Sequence, residues 1–228
     1  MNLAAMMKRT SSCAAVFVAT AIFFNAVSAR AASLGLNSPA NLALSYNGSW
    51  AGSTAFVSDL PDTSLSGHIE WAVFEAANFP FAGAGYIPTP GQLVYAYQVF
   101  VDATSPPLSH FDVDIPNSAN NIGTFNVLGG GTVTPSALSL GVAPTLAAFG
   151  FDGAAAIPPN SDSIGLAFSS DKVPQSWFGG VVDHGLTAKV VPLPSPSNIN
   201  VPEPATVALL CLGGALLVPT AVRRLRKR

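Results

Sequence analysis

Between residues 66 and 190 apolar and polar positions alternate with a period of two, the pattern of a strand with one buried face. GHIEWAVFE sets Ile69, Trp71 and Val73 on one side and His68, Glu70 and Ala72 on the other. QLVYAYQVFVDA aligns Leu93, Tyr95, Tyr97, Val99 and Val101. SHFDVDI turns Phe111, Val113 and Ile115 inward and His110, Asp112 and Asp114 outward. GTFNVL, TLAAFGF, DSIGLAFSS and GLTAKVV repeat the pattern more loosely. Clusters such as Asn47-Gly48, Pro106-Pro107 and Pro158-Pro159-Asn160 punctuate the runs as turns. Only ANLALSY and EAANF pass for short helical turns. About eight to ten short strands predict an all-β fold: a single β-sandwich or jelly-roll-like domain over residues 33–190, with a partly open barrel as the other solution.

Composition agrees with strands. The 228 residues are 49% hydrophobic and only 10% charged, with 20 Gly and 19 Pro. A helical bundle needs more Glu, Lys and Arg on its wet faces, and the 14 Phe, 4 Tyr and 3 Trp give a core that a disordered chain lacks. Residues 191–201, VPLPSPSNINV, read as a stiff proline-rich linker after the domain.

Charge is distributed unevenly. Five of the ten basic residues lie in the last six positions, and Lys8, Arg9 and Arg30 lie near the other end. Residues 33–200 hold two lysines against eleven acids, a net of −9. Such a surface repels phosphate backbones, so nucleic acid is excluded as a partner. The two cysteines, Cys13 and Cys211, both fall in apolar terminal segments, which leaves no disulfide framework and no thiol nucleophile for the domain.

The ends read as targeting segments. Residues 1–31 have a short basic start, an apolar stretch and a small-residue end, the layout of a secretory signal peptide cleaved after Ala31, or alternatively after Ala29. Near the other end, Ala205 to Val222 is eighteen residues without a charge. As a helix it would span about 27 Å, close to the thickness of a bilayer core. The basic cluster that follows, Arg223, Arg224, Arg226, Lys227 and Arg228, would stay in the cytoplasm as an anchor. The domain is then outside and the tail inside.

Pro202, Glu203 and Pro204, the apolar span and the Arg-rich tail together resemble the PEP-CTERM sorting signal of Gram-negative bacteria over residues 202–228. The resemblance implies recognition by an exosortase, a membrane-embedded cysteine enzyme, after signal peptidase has acted. It also implies a transient single pass of the inner membrane, then transfer to the cell surface or release. Members of this group accompany exopolysaccharide and biofilm genes. The prolines favour extended backbone at Val201 and Glu203, the form a peptidase takes. The middle of the chain also resembles domains found ahead of this signal in environmental bacteria, through its Trp-x-Val-Phe strand, its Tyr-x-Tyr-x-Val strand and the run SDSIGLAFSSDKVP.

Chemistry within the domain is sparse. His110, Asp112 and Asp114 share a strand face, about 6.8 Å between successive members, and two carboxylates with an imidazole could hold a Ca²⁺ ion. An ordinary solvated strand face gives the same alternation. Asp183-His184 lacks a G-x-S-x-G partner and reads as a turn. Glu70 and Glu75, five apart, point to opposite faces and make no glycosidase pair. Trp50 and Trp177 stand beside Gly-rich turns and could stack on sugar rings. No catalytic residue and no cofactor is assigned. The leading expectation is a non-enzymatic exported surface or extracellular-matrix protein. The alternative is a carbohydrate-binding module of the exopolysaccharide matrix, and a secreted hydrolase comes third.

Overall fold

The computed structural model describes residues 35–58, 64–83, 85–116, 118–126, 131–141, 145–183 and 186–201. The signal peptide, the Pro202–Pro204 motif, the apolar span, the basic tail and His184 lie outside these residues. Among the described residues no helix is long and apolar enough to cross a membrane.

The chain enters through a six-residue helix, α1 (Pro39–Leu44), where Ser38 caps the first turn by accepting from the Asn41 amide at 3.2 Å. A second helical turn, Ala76–Asn78, falls in the EAANF stretch. Further single helical turns fall at Tyr46–Gly48 and Gly153–Ala155, and the remaining regular elements are extended: β1 (Ala51–Val57), β2 (Ser66–Glu75), β3 (Leu93–Val101), β4 (His110–Ile115), β5 (Asn120–Phe125), β6 (Ala137–Leu140), β7 (Thr145–Gly150), β8 (Gly165–Ser170), β9 (Lys172–Asp183) and β10 (Leu186–Asn200). They form two five-stranded antiparallel sheets, ordered β1-β2-β3-β8-β5 and β10-β9-β4-β7-β6.

The alternation seen in sequence supplies the inner faces. Ile69, Val73, Tyr95, Tyr97, Val99 and Phe168 of the first sheet pack with Phe111, Val113, Phe149 and Val181 of the second in one buried cluster. Tyr97 meets Phe111 edge-on across the gap, with ring centroids 5.7 Å apart. Each such side chain, fully removed from water, contributes about 1.5–3 kcal/mol, so this layer dominates the stability of the domain. Trp71 sits at its margin. It is half-buried, donates its indole N–H to Thr54 Oγ1 at 2.9 Å and lies where a side chain on Gly52 would be.

The outer faces differ. Every residue of β3 is buried, on both sides of the strand. Leu36, Phe79, Tyr86 and Phe125 cover Ala72, Phe74, Val94 and Ala96 in a second, smaller core. Tyr86 shares a hydrogen bond with Ser169 Oγ at 2.6 Å, and burial pushes its phenol up to about 12. The outward positions Glu70 and Gln98 are buried as well, and Gln98 donates to Asp162 Oδ2 at 2.8 Å. The outer face of the second sheet keeps exposed residues such as Asp114, Ser139 and Lys189.

The structure corrects one boundary. Residues 191–200, read as a linker, complete β10 and pair with β9 through Leu193↔Trp177, Pro194↔Ser176, Ser195↔Gln175, Pro196↔Pro174 and Asn200↔Lys172. The domain therefore extends past residue 190. Proline can enter because β10 is the edge of its sheet. Pro192, Pro194 and Pro196 occupy alternate positions, so the missing N–H groups all face away from β9. Two of the carbonyls on that side find donors in the first sheet: Thr54 Oγ1 to Pro192 O at 2.5 Å and Tyr97 Oη to Pro194 O at 2.6 Å. The intervening Leu193 and Ser195, and Ser197 after the last proline, are buried.

Candidate functional site

At one end of the sandwich, its base, the register brings together Glu75↔Leu93, Leu93↔Ser170 and Asn200↔Lys172. Here the last described residues are fastened to the domain. The Val201 amide donates to Asp171 O at 2.7 Å. The Lys172 ammonium donates to Asn200 Oδ1 and pairs with Asp171 Oδ2 at 3.3 Å. Tyr95 donates to Lys172 O at 2.9 Å, and burial holds its phenol far above the ordinary range, reinforced by Tyr46 and Asp171. A hydroxyl so held stays a donor at all working pH values, so the β9 start is fixed from the core outward.

Val201 also walls a cavity of about 180 Å³ with Glu75, Ala76, Ala77, Gln92 and Leu93. Its lining is mainly apolar. Gln92 Oε1 is buried there without a hydrogen-bond partner from the protein.

The comparison with protein families bears on this junction. Residues 200–227 match the family described as the PEP-CTERM protein-sorting motif. The chain carries that sorting signal. No curated protein and no solved structure matches the chain. A PEP-CTERM signal implies export and handling by an exosortase, a membrane enzyme, before the cell surface. The match starts at Asn200, which is still paired with Lys172 in β10, so domain and signal join with no intervening tether.

The other residues singled out in sequence are placed as follows. Pro202, Glu203, Pro204, the basic residues from Arg223 to Arg228 and the cleavage positions Ala29 and Ala31 lie outside the described residues. His110, Asp112 and Asp114 do share the outer face of β4. His110 Nε2 stands 3.8 Å from Asp112 Oδ2, while Asp114 is exposed. Asp112 lies opposite Gly180 on one side and Ala148 on the other, and its carboxyl is raised above the usual range by burial, which the nearby His110 opposes. Among the described residues no group of three His, Cys, Asp or Glu side chains converges to hold a metal ion.

Trp177 is 38% exposed on β9, its ring 5.2 Å from that of Phe178, over which Lys189 Nζ sits at 3.7 Å. Trp50 is half-buried against the main core and presents less of its ring.

Sequence reasoning missed Asp171, Lys172 and Tyr95 as the fastening of the signal. A usable sign was present. Prolines spaced by two, with Leu193 and Ser195 between them and Ser197 after the last, have strand period as well as proline density.

Proposed function

We propose that this protein is a non-enzymatic module of the cell surface or extracellular matrix. It is exported by a cleaved signal peptide, held by one membrane crossing at Ala205–Val222, and passed by an exosortase to its destination. The observation that carries the reading is the sorting motif at residues 200–227, joined directly to a folded β-domain. The absence of a catalytic role is part of the proposal: among the described residues, those flagged in sequence are spread over a strand face and two aromatic positions.

The test is the intact mass of the mature protein from membrane and medium fractions of its native cells. Loss of everything after the Pro202–Pro204 region supports sorting. An added mass indicates covalent attachment to the surface, and its absence indicates release. A C-terminus still ending in Arg228 would sink exosortase processing and leave a plain membrane-anchored domain.

A second reading, binding to matrix polysaccharide, is favoured by the exposed ring of Trp177 beside Phe178. Affinity electrophoresis in polysaccharide gels separates the two. Retardation lost on Trp177→Ala supports the binding module, and migration indifferent to polysaccharide opposes it.

A further inference from the structure

The base of the sandwich carries exposed aliphatic side chains around its rim. Ile199 is 62% exposed and adjoins Asn200 at the end of β10. Ile87 is 79% exposed and is placed by the Asn121 side chain, which donates to its carbonyl, beside the start of β5. Leu42 and Leu44 are exposed on α1, next to the bridge between Ser45 and Phe74 near the end of β2. These three positions lie beside different strands of the same end, around the point where Val201 leaves the domain. An isolated exposed aliphatic residue is ordinary, whereas four of the seven large apolar side chains exposed among the described residues lie at this one end.

Chain length says what covers it. Val201 is fixed to Asp171, and the uncharged stretch begins at Ala205, four residues on. Four residues reach at most about 14 Å, whatever their conformation. If Ala205–Val222 crosses the bilayer, the base stands within about 14 Å of the hydrocarbon core, close against a headgroup layer that is itself about 5–8 Å thick. The charged residues flanking the exit at the base are Glu75 and the paired Asp171 and Lys172, which give no basic patch for anionic lipid.

We propose that the base of the domain docks on the outer leaflet of the inner membrane, with Leu42, Leu44, Ile87 and Ile199 entering the boundary between headgroups and acyl chains. The partner is a lipid surface, and the contact is apolar. An exosortase then meets its substrate with the sorting motif held at the bilayer surface by contacts on both sides. This inference rests on the membrane-crossing part of the reading above.

The experiment uses the full chain in phosphatidylcholine–phosphatidylethanolamine vesicles containing nitroxide-labelled lipid. Single cysteines for an environment-sensitive fluorophore are introduced as Leu44→Cys, Ile87→Cys, Ile199→Cys and Val57→Cys in a Cys13→Ala, Cys211→Ala background. Val57 is 62% exposed at the opposite end of β1 and serves as the control for folding and labelling. A further sample keeps Cys211 as the labelled site. The expected result is loss of more than half the fluorescence at positions 44, 87 and 199 and none at 57, unchanged in high salt. If Cys211 is quenched while positions 44, 87 and 199 behave as 57 does, docking is overturned and the membrane crossing stands. If Cys211 itself stays bright, the crossing fails and docking fails with it. Quenching at the base that high salt abolishes also overturns apolar docking. Should one single-cysteine variant fold poorly, the remaining two base positions decide.

Discussion

Tyr97 donates its hydroxyl to the carbonyl of Pro194, 97 positions later in the chain, at 2.6 Å. Tyr97 is in the centre of the first sheet and Pro194 in the edge strand of the second, so the bond ties the proline-rich segment across the sandwich. Burial, with Tyr95 close by, keeps the Tyr97 phenol protonated far above the ordinary range. The donor is permanent. Pro194 is buried, and its carbonyl points away from β9 toward the first sheet.

Tyr97→Phe therefore keeps the ring and leaves a buried carbonyl without its donor. The expected loss is about 1–3 kcal/mol of unfolding free energy. Urea titration at neutral pH reads it directly. Wild-type stability in this variant would mean that residues 191–200 do not pack on the domain.

The inner faces were legible because alternation requires only that one side be buried. Tyr95, Tyr97, Phe111 and Val113 all lie where the period of two puts them. The burial of Ala72 and Val94 was not legible. It depends on Leu36, Phe79 and Tyr86, brought over the first sheet by segments with no periodic signal of their own. Residues 191–200 failed for a different reason. Proline density argues for a tether in isolation, and only an edge strand with Thr54 and Tyr97 opposite its outward carbonyls reverses that argument. At the base, the PEP triplet could be recognised as a motif, while its fastening by Asp171 and Lys172 depended on the register of β9 with β10.

Gly179 is where β10 and β4 close on β9. A Cβ there would lie 2.5 Å from Leu193 Cδ1 and 2.7 Å from the carbonyl oxygen of Asp112. Leu193 can rotate, but the Asp112 carbonyl belongs to the β4 backbone and yields only by moving the strand. Gly179→Ala is expected to cost about 1–3 kcal/mol, the range for overpacking a filled interior. Thermal unfolding of the variant checks it. An unchanged midpoint would mean that β9 stands farther from β4 than this register requires.

Asp112 makes stability depend on pH in an uncommon direction for a carboxylate. Burial raises its pKa in the folded protein, with a smaller push from Asp114 and opposition from His110 and the Gly180 amide. Between the unfolded value, about 3.9, and the raised folded value, the native state holds more protons than the unfolded chain. This residue's contribution to stability therefore falls as pH rises through that window and is flat above it. Other carboxylates titrate in the same range, so the quantity to measure is the difference between wild type and Asp112→Asn. Urea midpoints from pH 3 to pH 7 should show the wild type losing ground to the variant as pH rises, then a constant gap. A wild type that gains on the variant as pH rises would assign Asp112 a net favourable charge interaction instead.

Hydrogen exchange distinguishes a strand from a tether at the junction. In a tether, the amides of Leu193, Ser195, Ile199 and Val201 exchange at the rate of free chain. In the structure, Leu193 and Ser195 lie opposite Trp177 and Gln175, the Ile199 amide donates to Ser197 Oγ at 3.1 Å, and the Val201 amide donates to Asp171 O at 2.7 Å. Local opening that costs even about 1.4 kcal/mol slows exchange tenfold, and core strands open at far higher cost than fraying ends. Leu193 and Ser195 should be the most protected. Val201 should follow with at least that tenfold slowing, although it is the last residue before the motif. Lys172→Ala removes the contacts to Asn200 and Asp171 and should speed exchange at Val201 while leaving Leu193 unchanged. If Val201 exchanges freely in the wild type while Leu193 is protected, the strand ends earlier and the sorting motif has slack. The same result would relax the four-residue limit that brings the base of the domain to the membrane.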